Sequence, residues 1–332
     1  GIQGVNGRVV MRAHERVERI LDVGIFKGGS AVLYAKLFRP AKLVAIEYAA
    51  EPVAALAQFI DDNALGDRLI PVYGVDQSDA KAMTRALVEW RPSDSRCAGA
   101  LILFLRDLWP GAGWGLLDDQ GQPKAPFHAL ARVLQPIWLG WVDNGLNGME
   151  LHWANESATG IDASVQVHAW RHGRQPVARG EQALHLPPRG RGRVRLPQML
   201  EAFVDLNWAY RFGPATAELL QARLVDGSGR VLATAMHFPP ALLARRGAVG
   251  LAAEVSGSAD GSMLLRLSTQ SAALGVHFEA SGWLPSDEYF HMAPGEERTV
   301  TLRPAPSKGI SFNPGVCVSA LNTHEILPLQ LH

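Results

Sequence analysis

At 332 residues the chain is too long for one ordinary hydrophobic core, so two or three domains are expected. Its 32 lysines and arginines balance its 32 aspartates and glutamates, which removes any global electrostatic case for nucleic acid or an anionic membrane as partner. Two distant cysteines, Cys97 and Cys317, suit a reduced compartment, and the lack of any run of roughly 18 apolar residues or of a secretory start points to a cytoplasmic protein.

The chain opens at Gly1, so its natural start is expected elsewhere, Met11 being one candidate. Over the first part, short apolar runs alternate with helical patterns, the signature of βαβ units and a parallel sheet. Residues 20–23, 42–46 and 69–73 read as strands, and residues 30–38, 52–63 and 80–90 as helices. Between the first strand and helix lies Asp22-Val23-Gly24-Ile25-Phe26-Lys27-Gly28-Gly29-Ser30, a turn whose glycines leave amide donors facing a ligand. Glu47 closes the second strand, placed to accept hydrogen bonds from a ribose diol. The polar segment 91–96 reads as a junction. Three strands alone would leave an apolar sheet edge. Residues 100–105, apolar on both faces as a buried parallel strand is, are the candidate fourth strand, and a helix over 125–134 is expected to pack on the sheet.

From Gly148 onward the helical period fades. Residues 149–155, 163–170, 219–225 and 231–237 read as strands, with Asp226-Gly227-Ser228-Gly229 as a hairpin turn. A second group follows Pro239-Pro240, at 249–255, 263–268, 276–280, 298–302 and 315–320; short strands at this spacing argue for two β-sandwiches. Arg189, Arg191, Arg193 and Arg195 alternate with Gly190, Gly192 and Val194. They read as a basic edge strand that discourages aggregation rather than as a phosphate-binding stretch. His168 and His172 would share one face of a helix as metal ligands, but their segment reads as a strand and then a turn, so no metal is assigned. Trp138, Trp141, Trp153, Trp170 and Trp208 are expected in core and interdomain packing.

Residues 19–79, through Leu21-Asp22-Val23-Gly24 and Gly28-Gly29-Ser30, resemble class I S-adenosylmethionine-dependent methyltransferases. The resemblance implies Gly24, Gly28 and Gly29 at the methionine end of S-adenosylmethionine, Glu47 at the ribose, Asp76 and Gln77 at the adenine, and Asp22 ordering the loop. It breaks off after Trp90, where that family continues into a fourth strand ending in acidic residues and then three more strands.

From Gly99 to the C-terminus the chain resembles a different family, the bacterial β-mannosidases of glycoside hydrolase family 2. The matching runs, in collinear order, begin with Gly99-Ala100-Leu101-Ile102-Leu103-Phe104-Leu105-Arg106-Asp107-Leu108-Trp109-Pro110, Gly113-Trp114-Gly115-Leu116-Leu117-Asp118 and Gly121-Gln122-Pro123-Lys124-Ala125. They continue with Asp205-Leu206-Asn207-Trp208-Ala209-Tyr210-Arg211-Phe212-Gly213-Pro214, Phe238-Pro239, Leu284-Pro285-Ser286-Asp287-Glu288-Tyr289-Phe290 and Ala320-Leu321-Asn322. The resemblance implies the last strand and helix of a barrel followed by two sandwich domains, a carbohydrate partner, and Trp109 and Trp114 near a sugar. Retaining glycosidases need two carboxyl groups about 5 Å apart. In the family these project from barrel strands that would precede Gly99. The one Asn-Glu pair, Asn155-Glu156, falls in a sandwich strand and is expected at the surface, so no catalytic residue is assigned.

The expected fold class is therefore α/β plus all-β: a truncated Rossmann-like parallel-sheet unit over 1–97, a barrel remnant over 98–140 that completes its sheet, and immunoglobulin-like β-sandwiches over 141–240 and 241–332. Three readings of function follow: a carbohydrate-associated or structural module without hydrolytic residues, an S-adenosylmethionine-binding methyltransferase-like protein, or a hybrid reading frame joined between Trp90 and Gly99. Apolar surface orphaned by the truncation would favour self-association.

Overall fold

The computed structural model describes residues 3–5, 8–10, 19–23, 25, 28–40, 42–47, 49–73, 91, 105–110, 113, 115–196, 199–200, 204–211, 213–238, 242, 245–258, 260–305 and 315–330. The chain divides into two compact units, one formed by 1–82 with 94–119 and the other by 83–93 with 120–332.

In the first unit β1 (Gln3–Val5) and β2 (Arg8–Val10) pair as a hairpin. The strands β3 (Arg19–Val23), β4 (Lys42–Ile46) and β5 (Leu69–Val72) form a parallel sheet in that order. Parallel neighbours need long crossovers, and these are supplied by α1 (Gly29–Phe38) and α2 (Ala54–Asp62). Leu43 and Ala45 from the central strand pack with Leu69, Ile25, Ala31, Leu56 and Ile60 to make a small core. Each element lies within a residue or two of its expected span. The expected helix over 80–90 and strand residues 100–104 lie outside the described residues; Leu105, the last of that run, is exposed.

The second unit is mostly β-sheet. After α3 (Ala125–Val133) come β6 (Ile137–Asp143), β7 (Met149–Asn155), β8 (Ile161–Arg171), β9 (Gln175–Leu186), β10 (Arg191–Arg195), β11 (Leu219–Asp226) and β12 (Val231–His237). They make two antiparallel sheets, ordered β10-β7-β6 and β12-β11-β8-β9. Side chains alternate across a strand, so Val165, Val167 and Ala169 of β8 and Leu220, Ala222 and Leu224 of β11 share one core with Leu139, Trp141, Leu151 and Trp153 of the facing sheet. Gly192 on β10 leaves room for the Trp153 ring; a Cβ there would stand 2.3 Å from it.

A second sandwich is built from β13 (Ala252–Gly257), β14 (Met263–Ser268), β15 (Ala273–Glu279), β16 (Trp283–Pro285), β17 (Phe290–Met292), β18 (Glu297–Pro304), β19 (Gly315–Ser319) and β20 (Ile326–Gln330), ordered β13-β14-β18-β16 and β17-β15-β19-β20. Leu265, Leu267, Val276, Phe278, Phe290, Val300, Leu302, Val316 and Val318 fill its core. The two sandwiches share an apolar seam in which Trp170, Leu219 and Leu242 meet Ala272, Leu274 and Ala293. Gln221 crosses it, its Nε2 donating to Glu296 Oε2 at 2.8 Å.

Several expectations are met and several corrected. Strand β10 is an edge, and Arg193 and Arg195 reach across to Glu150 of β7 at 3.4 and 3.2 Å. At the 226–229 hairpin the Asp226 carboxylate accepts hydrogen bonds from Ser228 and Arg230, which hold its pKa down to about 2. His168 lies on β8 and His172 in the turn beyond it, as read. Trp138, Trp141, Trp153 and Trp170 are buried, but Trp208, in a loop between strands, is 45% exposed. Helix α3 carries Arg132, which forms an ion pair with Asp287 of the second sandwich. Among the described residues no helix is long and apolar enough to cross a membrane.

Asn155, expected at the surface, is fully buried. Its Nδ2 donates to the carbonyls of Thr159 and Pro187 at 2.8 and 3.1 Å, and its Oδ1 accepts from Ser157 N at 3.0 Å, tying the end of β7 to the end of β9. Neighbouring Glu156 turns outward to meet Arg91 at 2.5 Å. Replacing Asn155 by Ala strips buried carbonyls of their donor, and should lower the unfolding free energy by about 1–3 kcal/mol, read from the urea midpoint at unchanged slope.

Candidate functional site

The predicted cofactor end of the N-terminal sheet is partly described. Gly28 precedes α1 at φ +85°, its N–H donating to Ile25 O at 2.7 Å, and a Cβ there would stand 3.1 Å from the Leu56 side chain, so glycine keeps this turn tight against α2. Gly29 opens α1 and is exposed. Glu47 follows the central strand and is buried: its N–H donates to Val72 O at 2.8 Å and its Oε1 accepts from Ala49 N at 3.2 Å. Asp22 lies in β3 opposite Ala45 of β4. Gly24, Asp76 and Gln77 lie outside the described residues. Gly28 and Glu47 thus stand at the same end of the parallel strands, the end where open α/β sheets take ligands.

The predicted sugar contact Trp109 is 71% exposed, beside the equally open Leu108, while Trp114 lies outside the described residues. The segment is held by Asp107, which is buried and accepts from Gly115 N at 2.7 Å while its own N–H donates to Leu117 O at 3.0 Å. An exposed indole on a pinned loop can stack on a flat apolar face.

Among the described residues lies a dense set of charged groups that the residue-by-residue reading missed. Asp287 and Glu288, between β16 and β17, meet Arg132 of α3: the guanidinium pairs with the Asp287 carboxylate and also donates to Glu288 O at 2.9 Å and Tyr289 O at 3.3 Å. Arg298 of β18 holds the second Asp287 oxygen at 2.5 Å and lies over the Phe290 ring. Glu288 is buried, and its Oε1 accepts from Phe278 N at 3.0 Å. His277 Nδ1 lies 2.6 Å from the same oxygen, close enough for charge pairing though out of line for a hydrogen bond, and its ring stacks on Tyr289. His128 of α3 is buried with Nδ1 3.7 Å from Asp287 and Nε2, which has no hydrogen-bond partner among the described residues, 3.9 Å from Glu288.

The electrostatics follow from these contacts. Burial pulls the His128 pKa below the ordinary value, outweighing the attraction of Asp287 and Glu288. Contact with the Glu288 carboxylate raises that of His277 against the opposing effect of burial. Burial, helped by Glu288, pushes the Tyr289 hydroxyl up to about 12. With both Asp287 oxygens on arginines and Glu288 on a main-chain N–H, this arrangement acts as a clasp between α3 and the second sandwich.

Comparison with known proteins places these features in context. The Ig-fold domain model of mannosidases matches residues 248–322. Beta-mannosidase B of Aspergillus terreus is 25% identical over 260 residues, covering 70% of this chain and 29% of that protein. Beta-mannosidase B of Aspergillus flavus is 38% identical over 72 residues, 21% of this chain and 8% of that protein. Among solved structures, the exo-chitosanase CsxA of Amycolatopsis orientalis superposes with a TM-score of 0.57 at 15% identity, covering 76% of this chain and 34% of that one. The beta-D-mannosidase of Dictyoglomus thermophilum does so with a TM-score of 0.54 at 14% identity, covering 75% and 29%. The chain spans under a third of the length of the curated relatives it matches. Its C-terminal region therefore resembles that of family 2 β-mannosidases and shares their immunoglobulin-like sandwich fold.

The two histidines of the clasp give opposite pH signatures. A folded-state pKa raised at His277, which faces Glu288, Glu279 and Tyr289, means stability that is present below the unfolded value of about 6.5 and is lost as pH rises through the folded value. A lowered pKa at His128, which faces Asp287, Glu288 and Arg132, means stability that is lost as pH falls below about 6.5. Thermal midpoints between about pH 5 and pH 8 should show His277→Gln losing most at the acid end and His128→Phe blunting the acid loss of the unaltered chain.

Proposed function

We propose that this chain is a carbohydrate-associated module related to the C-terminal region of family 2 β-mannosidases, with no hydrolytic activity of its own. The observation that carries the reading is the 260-residue match to a β-mannosidase, supported by the fold shared with a solved β-D-mannosidase. The acids of the two described acidic motifs are already engaged. Glu156 meets Arg91, and Asp287 and Glu288 are held by Arg132, Arg298 and the Phe278 amide. A retaining mechanism needs one carboxyl free to ionise as nucleophile and a second to pass a proton, about 5 Å away. Purified chain incubated with p-nitrophenyl β-D-mannopyranoside should release no more nitrophenol than buffer, yet its migration should be retarded in a native gel cast with soluble mannan. Turnover that a mechanism-based inhibitor removes would overturn the first half of this reading, and unretarded migration the second.

A second reading attaches to the N-terminal unit, an S-adenosylmethionine site on a Rossmann-like half-sheet. It is favoured by Gly28, kept tight against Leu56, and by the buried Glu47 carboxylate at the same end of three parallel strands. When bound, the cofactor would supply an electrophilic methyl group; this chain's part is the glycine turn that lets it approach and the carboxylate that orders its ribose hydroxyls. Calorimetric titration with S-adenosylmethionine should then show saturable heat that Glu47→Ala abolishes, and a flat titration of the folded chain would retire this reading.

A further inference from the structure

Between β10 and β11 the loop over 204–211 brings two aromatic rings to the surface, Trp208 at 45% and Tyr210 at 41% exposure. Both have their polar ends bonded to loop carbonyls: Trp208 Nε1 donates to Gly213 O at 2.9 Å, and the Tyr210 hydroxyl to Leu146 O at 3.0 Å.

The loop that carries them is tied down by several contacts from its 205–207 segment. Asp205 accepts from the N–H groups of Ala209 and Tyr210 at 2.9 and 3.1 Å. Asn207 Nδ2 donates to Asp143 Oδ1 at 2.5 Å and to Gly145 O at 2.9 Å, tying the loop to the β6–β7 connection. Leu206 is buried in the core of the first sandwich. Trp208 and Arg211 hold φ values of +53° and +54°, a left-handed conformation that costs an L-residue about 1–2 kcal/mol. Strain of this kind persists only where surrounding bonds enforce it, and it gathers at ligand clamps.

Two rings two residues apart, on a loop with little freedom left to lose on binding, are bordered by the exposed Asp143, Asn147 and Arg211. That combination suits a ligand with one apolar C–H face and a rim of hydroxyls: the face stacks on the rings, and the hydroxyls reach the polar border. A protein partner would instead favour an interface core depleted of charge. We propose that Trp208 and Tyr210 form a pyranoside-stacking subsite on the first sandwich. The proposal rests on the carbohydrate-associated reading above and names its contact surface.

The test is titration of the full chain with β-1,4-mannobiose, by calorimetry and by following the Trp208 indole N–H resonance, assigned with Trp208→Phe. The expected result is saturable binding that shifts that resonance. Trp208→Ala should weaken affinity about tenfold or more, and Tyr210→Phe, which keeps the ring, should stay within about twofold. Thermal midpoints establish that each variant is folded, and the resonance shift answers the question in the unaltered chain if Trp208→Ala is not. Binding that leaves the indole unmoved, or that survives in folded Trp208→Ala, would overturn the subsite while leaving the carbohydrate reading in place. No mannobiose binding would overturn the subsite too, and retardation by mannan then decides the broader reading separately.

Discussion

Strand β11 is enclosed on both faces, and the larger unit is arranged around that enclosure. Leu220, Ala222 and Leu224 face the core of the first sandwich, while Leu219 and Gln221 face the seam with the second. Because side chains alternate with a period of two, a slip of one residue would drive Gln221 into an apolar core away from Glu296 and pull three core residues out. Register is therefore set from two directions. Once it is set, the second sandwich has a fixed seat, and the β16–β17 segment stands where α3 can reach it.

Much of this was legible in the chain because burial leaves a period. The three parallel strands and the helices between them, and β7, β8, β11, β12 and β14, follow short apolar runs or alternation bounded by turn residues. Strand β6 went unread although its run is apolar, but other strands that escaped reading lacked that mark. Strand β9 carries Pro176, Gly180 and Glu181 and lies at a sheet edge, largely exposed; its pairing with β8 makes it a strand, not its own propensity. Strands β16 and β17 are three residues each, too short to show a period at all.

The sites divide in the same way. Glycines and an acid at strand ends can be read because they follow the chain, and Gly28 and Glu47 do lie at one end of the sheet. The clasp could not be read, since Arg132 and Asp287 are 155 positions apart and nothing local announces that they meet. Trp208 was misjudged for a related reason: an aromatic residue usually means core, and nothing local marks a ring that its loop leaves 45% exposed. Asn155 was misjudged in the opposite sense, because a polar side chain with donors and acceptors on both atoms can be buried at little cost once each is satisfied.

The clasp also bears on how the chain would behave if cut. Arg132 precedes the whole first sandwich in sequence, and Asp287 follows it, so the ion pair closes a circuit around that domain. A single nick in an exposed turn of the enclosed domain, the 226–229 hairpin for instance, would sever the backbone without separating the pieces. They would remain joined by the strand pairing of β11 with β12, by the seam and by the clasp. The protein should thus travel as one particle after limited proteolysis and come apart only under denaturant, a bracketed construction in which the ends of a segment hold each other as well as what lies between them.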